Sequence, residues 1–192
     1  ASVVINWEDA PEKLVSANVA LGDFDSGFWQ RYKIVEQGGM KIGITAVLGK
    51  KELAGLKNAS DFTLMDPAAA LEQVLPALKK AKCDQLVLLA HAEPAEAKEL
   101  ARRFPEFNWI TTAHGADEPP SEPAKIEGTK GMLIEVGHKG MYVVAIGLYK
   151  NGKPAFRYQR VPLDHRFADA AEIHAMHVEL QEQLQQIVEQ AG

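Results

Sequence analysis

Cysteine is nearly absent from the sequence, since Cys83 is the single one among 192 residues. One thiol excludes an internal disulfide, and it also excludes a zinc site built from several thiolates. Because Cys83 lies just before an apolar run, we expect its side chain to be buried as a small hydrophobic group.

Long apolar runs and blocks of basic residues are also missing. No stretch approaches the roughly 20 apolar residues of a membrane helix, so we expect no membrane span. Residues 1–4 do not start a basic region followed by an apolar core, so we expect no signal peptide. The net charge is −5 and aromatic residues make up 7% of the chain, which argues against nucleic acid as a partner.

Two local motifs of phosphate binding and acyl transfer are absent as well. Gly38-Gly39 is not followed by the Lys-Ser/Thr of a phosphate-binding loop, and no G-x-S-x-G nucleophile elbow occurs. The remaining composition, with 46% hydrophobic and 24% charged residues, is typical of an ordinary globular domain.

The most informative feature that is present is a pair of histidines, each at the end of a strand-like run. An apolar run at 85–90 ends at His91, and a second run at 108–113 ends at His114. Residues 94–104 between them have a helical pattern, so a strand–helix–strand crossover is predicted. Both strand ends then lie at the ligand-binding edge of a parallel sheet, where two imidazoles can share a metal ion.

The pattern upstream of this unit predicts strands, a hairpin turn and one capped helix. Asp66 and Pro67 are typical of a helix start, and we expect the helix to run to Lys82 with a kink at Pro76. The expected strands are 14–19, 28–36 and 40–48, and the hairpin turn is at 37–39.

The pattern downstream predicts a surface loop at 117–123 and then an antiparallel region. A tight turn at His138-Lys139 is expected to join two strands, and Asn151-Gly152 is typical of a hairpin. The predicted fold is therefore α/β with a mixed sheet, parallel in the middle and antiparallel at the C-terminal end. The three late strands are expected at 131–137, 140–149 and 154–163.

A long helix is predicted over 168–190, because apolar residues step there by three and four positions in a narrow seam. The seam packs on the chain's own sheet or meets a partner helix. His174 and His177 have a spacing that can chelate a metal, and a solvated helix edge is the alternative. We divide the chain into an α/β domain at 1–165 and a connecting or packing helix at 166–192. The seam residues are Ile173, Met176, Leu180, Leu184 and Ile187.

Several short motifs follow one another in a fixed order along the chain. Ser16-Ala17-Asn18-Val19 is similar to a family motif SANV, Leu88-Leu89-Ala90-His91 to LLSH, and Ala113-His114-Gly115 to GGHSH. Further matching segments are 32–36, 39–44, 66–67, 100–105 and 140–142. By these motifs the region from residue 14 to about 160 resembles the calcineurin-like metallophosphoesterases, specifically the bacterial 5′-nucleotidase branch.

The resemblance implies a two-sheet sandwich in which a pair of divalent metals, such as manganese or zinc, activates water against a phosphoester. It implies that His91 and His114 are metal ligands and that the substrate is a phosphoester or nucleotide. It also implies a location in the periplasm or cell envelope.

The departures from the family pattern bear directly on activity. The N-terminal motifs D-x-H, G-D-x-x-x-x-S and G-N-H-E are missing from their expected places. Ala116 replaces the second histidine of GGHSH, and Thr112 and Ala113 replace its glycines. Asp117 is a candidate substitute ligand or a solvated loop acid. The histidine pair itself is either a metal site or two hydrogen-bonded polar groups at strand ends.

Three functional interpretations follow. The chain is a degenerate or partial metallophosphoesterase domain that serves as a scaffold or interaction module. Alternatively it is part of an active enzyme whose remaining ligands lie outside this chain, or an unrelated α/β domain. If the family's other sheet is missing, an apolar face with Ile42, Ile44 and Val87–Leu89 lacks its cover. The chain covers it with its own strands and final helix, or a second copy or an attached domain does so, which predicts a possible homodimer.

Overall fold

A computed structural model describes residues 14–24, 29–56, 61–150, 152, 155–168, 171, 180 and 181. The chain divides into two compact units, Ala1–Val161 and Pro162–Gly192. All the strands and helices described below begin in the first unit. The predicted boundary at 165/166 stays a prediction.

Among the described residues, ten strands and three helices begin in the first unit, with the following bounds. The strands are β1 Val19–Leu21, β2 Tyr32–Gln37, β3 Met40–Leu48, β4 Phe62–Leu64, β5 Gln85–His91, β6 Trp109–Thr112, β7 Ala124–Lys125, β8 Met132–Glu135, β9 Tyr142–Leu148 and β10 Phe156–Pro162. The helices are α1 Lys50–Leu56, α2 Pro67–Lys80 and α3 Pro94–Arg103.

A six-stranded mixed sheet in the order β2-β3-β5-β6-β8-β7 forms the centre of this unit. Strands β3, β5, β6 and β8 are parallel to one another, while β2 and β7 pair antiparallel at the two edges. Parallel neighbours need crossover connections, and the helices α2 and α3 supply those between β3, β5 and β6. The predicted mixed α/β fold with a parallel middle is therefore confirmed.

The local signals of the sequence explain how two of these elements begin. Gly38 and Gly39 both have positive φ angles, 58° and 73°, as the tight turn between β2 and β3 requires. Asp66 caps α2, because its side chain accepts hydrogen bonds from the backbone N–H groups of Ala68 and Ala69. The helix continues through Pro76 to Lys80.

One face of the sheet carries the hydrophobic core. Leu71 and Leu78 of α2 are fully buried, as are Leu88 of β5 and Ile110 of β6, within one cluster that also includes α3. Each such side chain contributes about 1.5–3 kcal/mol through burial. The core thus ties the two crossover helices to the parallel strands.

The opposite face is only partly covered. Leu89 of β5 is 42% exposed, and Ile44 and Val87 are half-buried. Trp109 is buried on this side, with its ring 5.1 Å from the ring of Phe156 in an edge-to-face contact. Among the described residues this face is therefore exposed at Leu89 and partly covered elsewhere. Leu88, which we assigned to it, points into the core because neighbouring strand residues face opposite sides.

One predicted strand differs from the structure in its position. The strand expected at 14–19 is wrong, since β1 covers Val19–Leu21 and Val15 makes only an isolated bridge. The Ser16 hydroxyl accepts a hydrogen bond from the Val19 N–H, which turns the chain just before β1. Local β propensity did not reveal this side-chain turn.

The antiparallel region is also smaller than predicted. Strand β8 lies parallel to β6 in the central sheet, and β9 pairs with β10 in a separate two-stranded sheet. Between β8 and β9, Gly137, Lys139 and Gly140 all have positive φ angles. Three left-handed residues within four positions redirect the chain, so β9 leaves the sheet instead of pairing with β8.

The predicted long C-terminal helix over 168–190, with His174 and His177, lies almost entirely outside the described residues. Its existence and role stay predictions. Within the described part of the chain, the helices are all too short or too polar to cross a membrane.

Candidate functional site

His91 and His114 lie next to each other at the carboxyl edge of the parallel strands. His91 is the last residue of β5, and His114 follows two residues after β6. Their ring centroids are 5.0 Å apart with an interplanar angle of 62°. The two imidazoles therefore meet at this edge, and their role as metal ligands stays a prediction.

A buried threonine fixes the backbone of both histidine segments. The Thr112 hydroxyl donates to the Ala92 carbonyl, directly after β5, and accepts from the His114 N–H at 3.2 Å. Thr112 is fully buried, so these partners replace water. The substitution at the first glycine position of the family motif thus supplies a tether between the two loops.

A close backbone approach brings the end of β3 to the same place. The Gly49 N–H donates to the His91 carbonyl at 2.8 Å. A Cβ atom at Gly49 would lie 2.7 Å from Ala92 Cβ and 2.5 Å from Glu52 Oε2. Glycine is needed here because any side chain would collide with the loop that carries His91.

The Asn18 side chain holds the end of β3 through hydrogen bonds. Its amide nitrogen donates to the carbonyls of Leu48, at 2.8 Å, and Met65, at 3.3 Å. Its carbonyl oxygen accepts from the Leu48 N–H at 2.9 Å, and the side chain is fully buried. This network holds the turn that leads into α1.

Helix α1 then places a carboxylate against the histidine pair. Glu52 has a side chain that is only 13% exposed, and its Oε1 lies 3.2 Å from His114 Nε2. The contact lacks the alignment of a hydrogen bond, because His114 Nε2 is a buried atom with no hydrogen-bond partner. Glu52 Oε2 is buried and unpartnered as well. Sequence analysis missed Glu52, since a glutamate in the first turn of a short helix carries no local signal of such a contact.

The other charged groups at this edge have partners. Lys51 Nζ lies 2.7 Å from Glu93 Oε1. The hydrogen bond between them holds the pKa of the Glu93 carboxyl below its usual range and raises the pKa of Lys51. Glu96 accepts from the Lys50 N–H at 3.1 Å. Glu52 therefore differs from its acidic neighbours in having an unsatisfied oxygen.

The loop after His114 is held by β8 and carries no further imidazole. The Ala116 N–H donates to Glu135 Oε2 at 2.8 Å, and Gly115 has a φ angle of 137° that favours glycine. Asp117, the candidate substitute ligand, is 95% exposed and lies 3.4 Å from His138 Nδ1. The structure thus places Asp117 beside another histidine.

Two clefts meet at His91 on the open face of the sheet, with volumes of about 240 and 230 Å³. The first is lined by apolar groups that include Leu89 and Val136, and the second by Val19 and Leu48. A ligand at the histidine pair would therefore lie at the end of an apolar surface.

The donor set limits which metal centre these residues can form. Among the described residues, no three His, Cys, Asp or Glu side chains are already arranged to hold a metal ion. Burial raises the pKa of the Cys83 thiol, which packs against the core just before β5 and not at the histidine pair. A two-metal centre needs carboxylates that bridge and flank both ions. One carboxylate, Glu52, touches the pair, so the described residues do not fit a two-metal centre.

Comparison with known proteins gives matches in structure alone. No protein-family model matches the chain, and no curated protein matches it in sequence. Sulfate thiohydrolase SoxB from Thermus thermophilus is similar in structure, with a TM-score of 0.70 and 16% identity over 90% of this chain and 32% of that chain.

Two further solved structures have the same architecture. A 5′-nucleotidase precursor from Thermus thermophilus matches with a TM-score of 0.69 and 19% identity, over 92% of this chain and 38% of that chain. The calcineurin-like phosphoesterase YfkN from Bacillus subtilis matches with a TM-score of 0.62 and 15% identity, over 88% of this chain and 61% of that one. The chain spans about a third of the length of SoxB. It has a metallophosphoesterase fold of the 5′-nucleotidase type.

Proposed function

We propose that this chain is a degenerate or partial metallophosphoesterase domain that does not hydrolyse phosphoesters by itself. The observation that carries the proposal is the small number of possible metal ligands around the two adjacent histidines. His91 and His114 are adjacent, but Ala116 stands where the family motif has a second histidine, and a single carboxylate touches the pair.

The chemistry of phosphoester hydrolysis explains why this set is too small. A pair of metals must hold a bridging water and neutralise the transferred phosphoryl group, and carboxylates keep such a pair together. Glu93 and Glu96 at the same edge are occupied by Lys51 and by the Lys50 N–H. They therefore do not serve as substitutes for the missing ligands.

As a scaffold, the domain offers its open sheet face for interaction. Leu89 and the apolar clefts beside His91 form a surface that suits a packing partner, either a second copy or an attached domain. The C-terminal segment at 166–192 is the proposed connector. The periplasm or cell envelope is the proposed location, from the resemblance to the family.

The second candidate function is one half of an active metal-dependent phosphoesterase or nucleotidase. One observation favours it: the chain covers 32% and 38% of two structural neighbours while being matched over at least nine-tenths of its own length. In that case the remaining ligands belong to a segment outside this chain, and the substrate is a phosphoester or nucleotide bound with manganese or zinc.

Hydrolysis of p-nitrophenyl phosphate and of AMP by the purified chain, with Mn²⁺ or Zn²⁺ added, tests the proposal. We expect no rate above that of the metal ions alone. Hydrolysis that His91→Ala abolishes while the fold is retained would overturn it. Lys125→Ala, on the distant strand β7, is the matched surface control.

A further inference from the structure

We propose that a cleft between β8 and β10 binds a small organic cation with an alkylated ammonium group. The cleft has a volume of about 300 Å³ and reaches Met132, the first residue of β8, whereas the histidine pair lies at the carboxyl edge of the parallel strands. The inference goes beyond the proposed function, because the histidine site and the cleft share no residue. The lining residues are Ser121, Glu122, Pro123, Met132, Phe156 and Tyr158.

Two aromatic side chains of β10 line the cleft, and the protein holds both in place. Phe156 packs edge to face on Trp109, with ring centroids 5.1 Å apart, and the Trp109 Nε1–H donates to Gln85 Oε1 at 2.9 Å. Tyr158 is half-buried, and its hydroxyl donates to the Pro120 carbonyl at 3.4 Å. Side chains that are already held lose little conformational entropy when a ligand binds.

The chemistry of the lining suits a cation with an apolar surface. Aromatic faces attract positive charge, and they are the usual recognition groups for quaternary ammonium ligands. The Met132 thioether is polarisable and adaptable, and Pro123 adds a further apolar surface. Ligand pockets have volumes of about 300–1,000 Å³, so this cleft suits a ligand at the small end of that range.

Glu122 supplies the negative charge of the cleft. Its side chain is exposed, and among the described residues no cation pairs with its carboxylate. The acids around it have partners, since Glu118 lies 2.8 Å from Arg160 Nη1 and Glu135 accepts from the Ala116 N–H. Arg160 already has a carboxylate partner, so its charge is compensated. The charge of the lining is therefore negative, which attracts a cation and repels an anion.

An NMR titration of the full chain with choline tests the inference. The matched neutral ligand is the carbon analogue of choline, in which a carbon atom replaces the ammonium nitrogen. We expect choline to bind at least about threefold more tightly than this analogue, because the aromatic faces attract only the charged ligand. The backbone signals of Met132 and Tyr158 should shift as choline is added, since both residues line the cleft.

Two pairs of variants separate the ring and the carboxylate from the fold. Tyr158→Leu removes the ring and should weaken choline binding by at least about threefold, whereas Tyr158→Phe keeps the ring and should stay within about twofold. Glu122→Gln should weaken it by about two- to fivefold, the contribution of an exposed charge pair. Glu127→Gln, at an exposed acid outside the lining, should leave the affinity unchanged.

Three results would overturn the inference: no binding of choline at millimolar concentrations, equal affinity for its neutral analogue, or equal affinity in Tyr158→Leu. Circular dichroism of each variant shows that it is folded. These measurements involve neither a metal ion nor a phosphoester, so their outcome is independent of the proposed function.

Discussion

The two edges of the parallel sheet use similar side chains in different ways. At the amino edge, Asp84 accepts from the Lys41 N–H at 2.9 Å and lies 3.2 Å from Lys150 Nζ, while Asn108 accepts from the Leu86 N–H at 2.8 Å. At the carboxyl edge, Asn18 makes a comparable network. Beside that network, however, Glu52 and His114 keep unpartnered buried atoms.

The difference separates groups that hold the fold from groups that are free to bind. Asp84 and Asn108 at the amino edge both accept hydrogen bonds from backbone N–H groups, so they stabilise the strand ends. The carboxyl edge has the same kind of structural anchor plus a set of unsatisfied atoms. Unsatisfied atoms next to an anchored backbone are what a preorganised binding site requires.

Asn18→Ala gives the largest effect that this comparison predicts. The change leaves the Leu48 N–H and two carbonyls without their buried partner. The free energy of unfolding should fall by about 2–4 kcal/mol, since each buried unsatisfied group costs about 1–3 kcal/mol. Urea unfolding measures it.

The amino edge provides the control for that experiment. Asn108→Ala removes one acceptor, that of the Leu86 N–H, so its loss should be smaller, about 1–2 kcal/mol. If Asn18→Ala is the milder change, the carboxyl edge is not anchored as described.

The next largest effect is a difference in stability between two variants, one at each edge of the sheet. Asp84→Ala should lower the free energy of unfolding by less than Asn108→Ala does, because the Lys41 N–H loses its acceptor at an exposed site. Glu52→Gln should change the free energy of unfolding by less than about 0.5 kcal/mol, because Glu52 Oε2 has no hydrogen-bond partner to lose and the amide keeps a polar atom beside His114. Thermal unfolding of both variants in chelator checks this. A loss of more than about 1 kcal/mol in Glu52→Gln would mean that the carboxylate is a structural group.

The smallest predicted effect concerns acid titration at the amino edge. The Lys41 N–H and the Lys150 ammonium hold the pKa of Asp84 below its ordinary value. A carboxyl with a lowered folded pKa stabilises the fold above its unfolded pKa of about 3.9, and this contribution is lost as the pH falls through the folded pKa. Lys150→Ala should therefore raise the pKa of Asp84, as measured by carboxyl carbon NMR shifts. Lys80→Ala, an exposed lysine at the end of α2, should not change it.

The sequence predicted the parallel middle of the fold because its signals there are local. The apolar run of β5, the helix start at Pro94 and the run of β6 lie within thirty residues, and each has the period of its element. The route of the chain after β8 could not be predicted in the same way. The chain leaves the sheet there because residues such as Lys139 have positive φ angles. A lysine in the sequence does not indicate a positive φ angle, so this turn could not be predicted.

Only the part of the candidate site that follows from the strand topology could be predicted. Parallel strands with a crossover bring His91 and His114 to one edge, so their proximity follows from the pattern of two runs. Glu52 comes from a separate element that is 39 residues before His91 in the chain. Its contact depends on the turn that Asn18 and Gly49 impose after β3, which is a tertiary effect without a periodic signal.

The Thr112 hydroxyl has a consequence for how such a domain changes over evolutionary time. It ties the segments of both histidines without taking part in ligand chemistry, so the distance between the rings is set by the sheet and a single side chain. We expect substitutions of neighbouring acids to leave that distance in place. An imidazole introduced at Ala116 would therefore meet two rings whose spacing is already set.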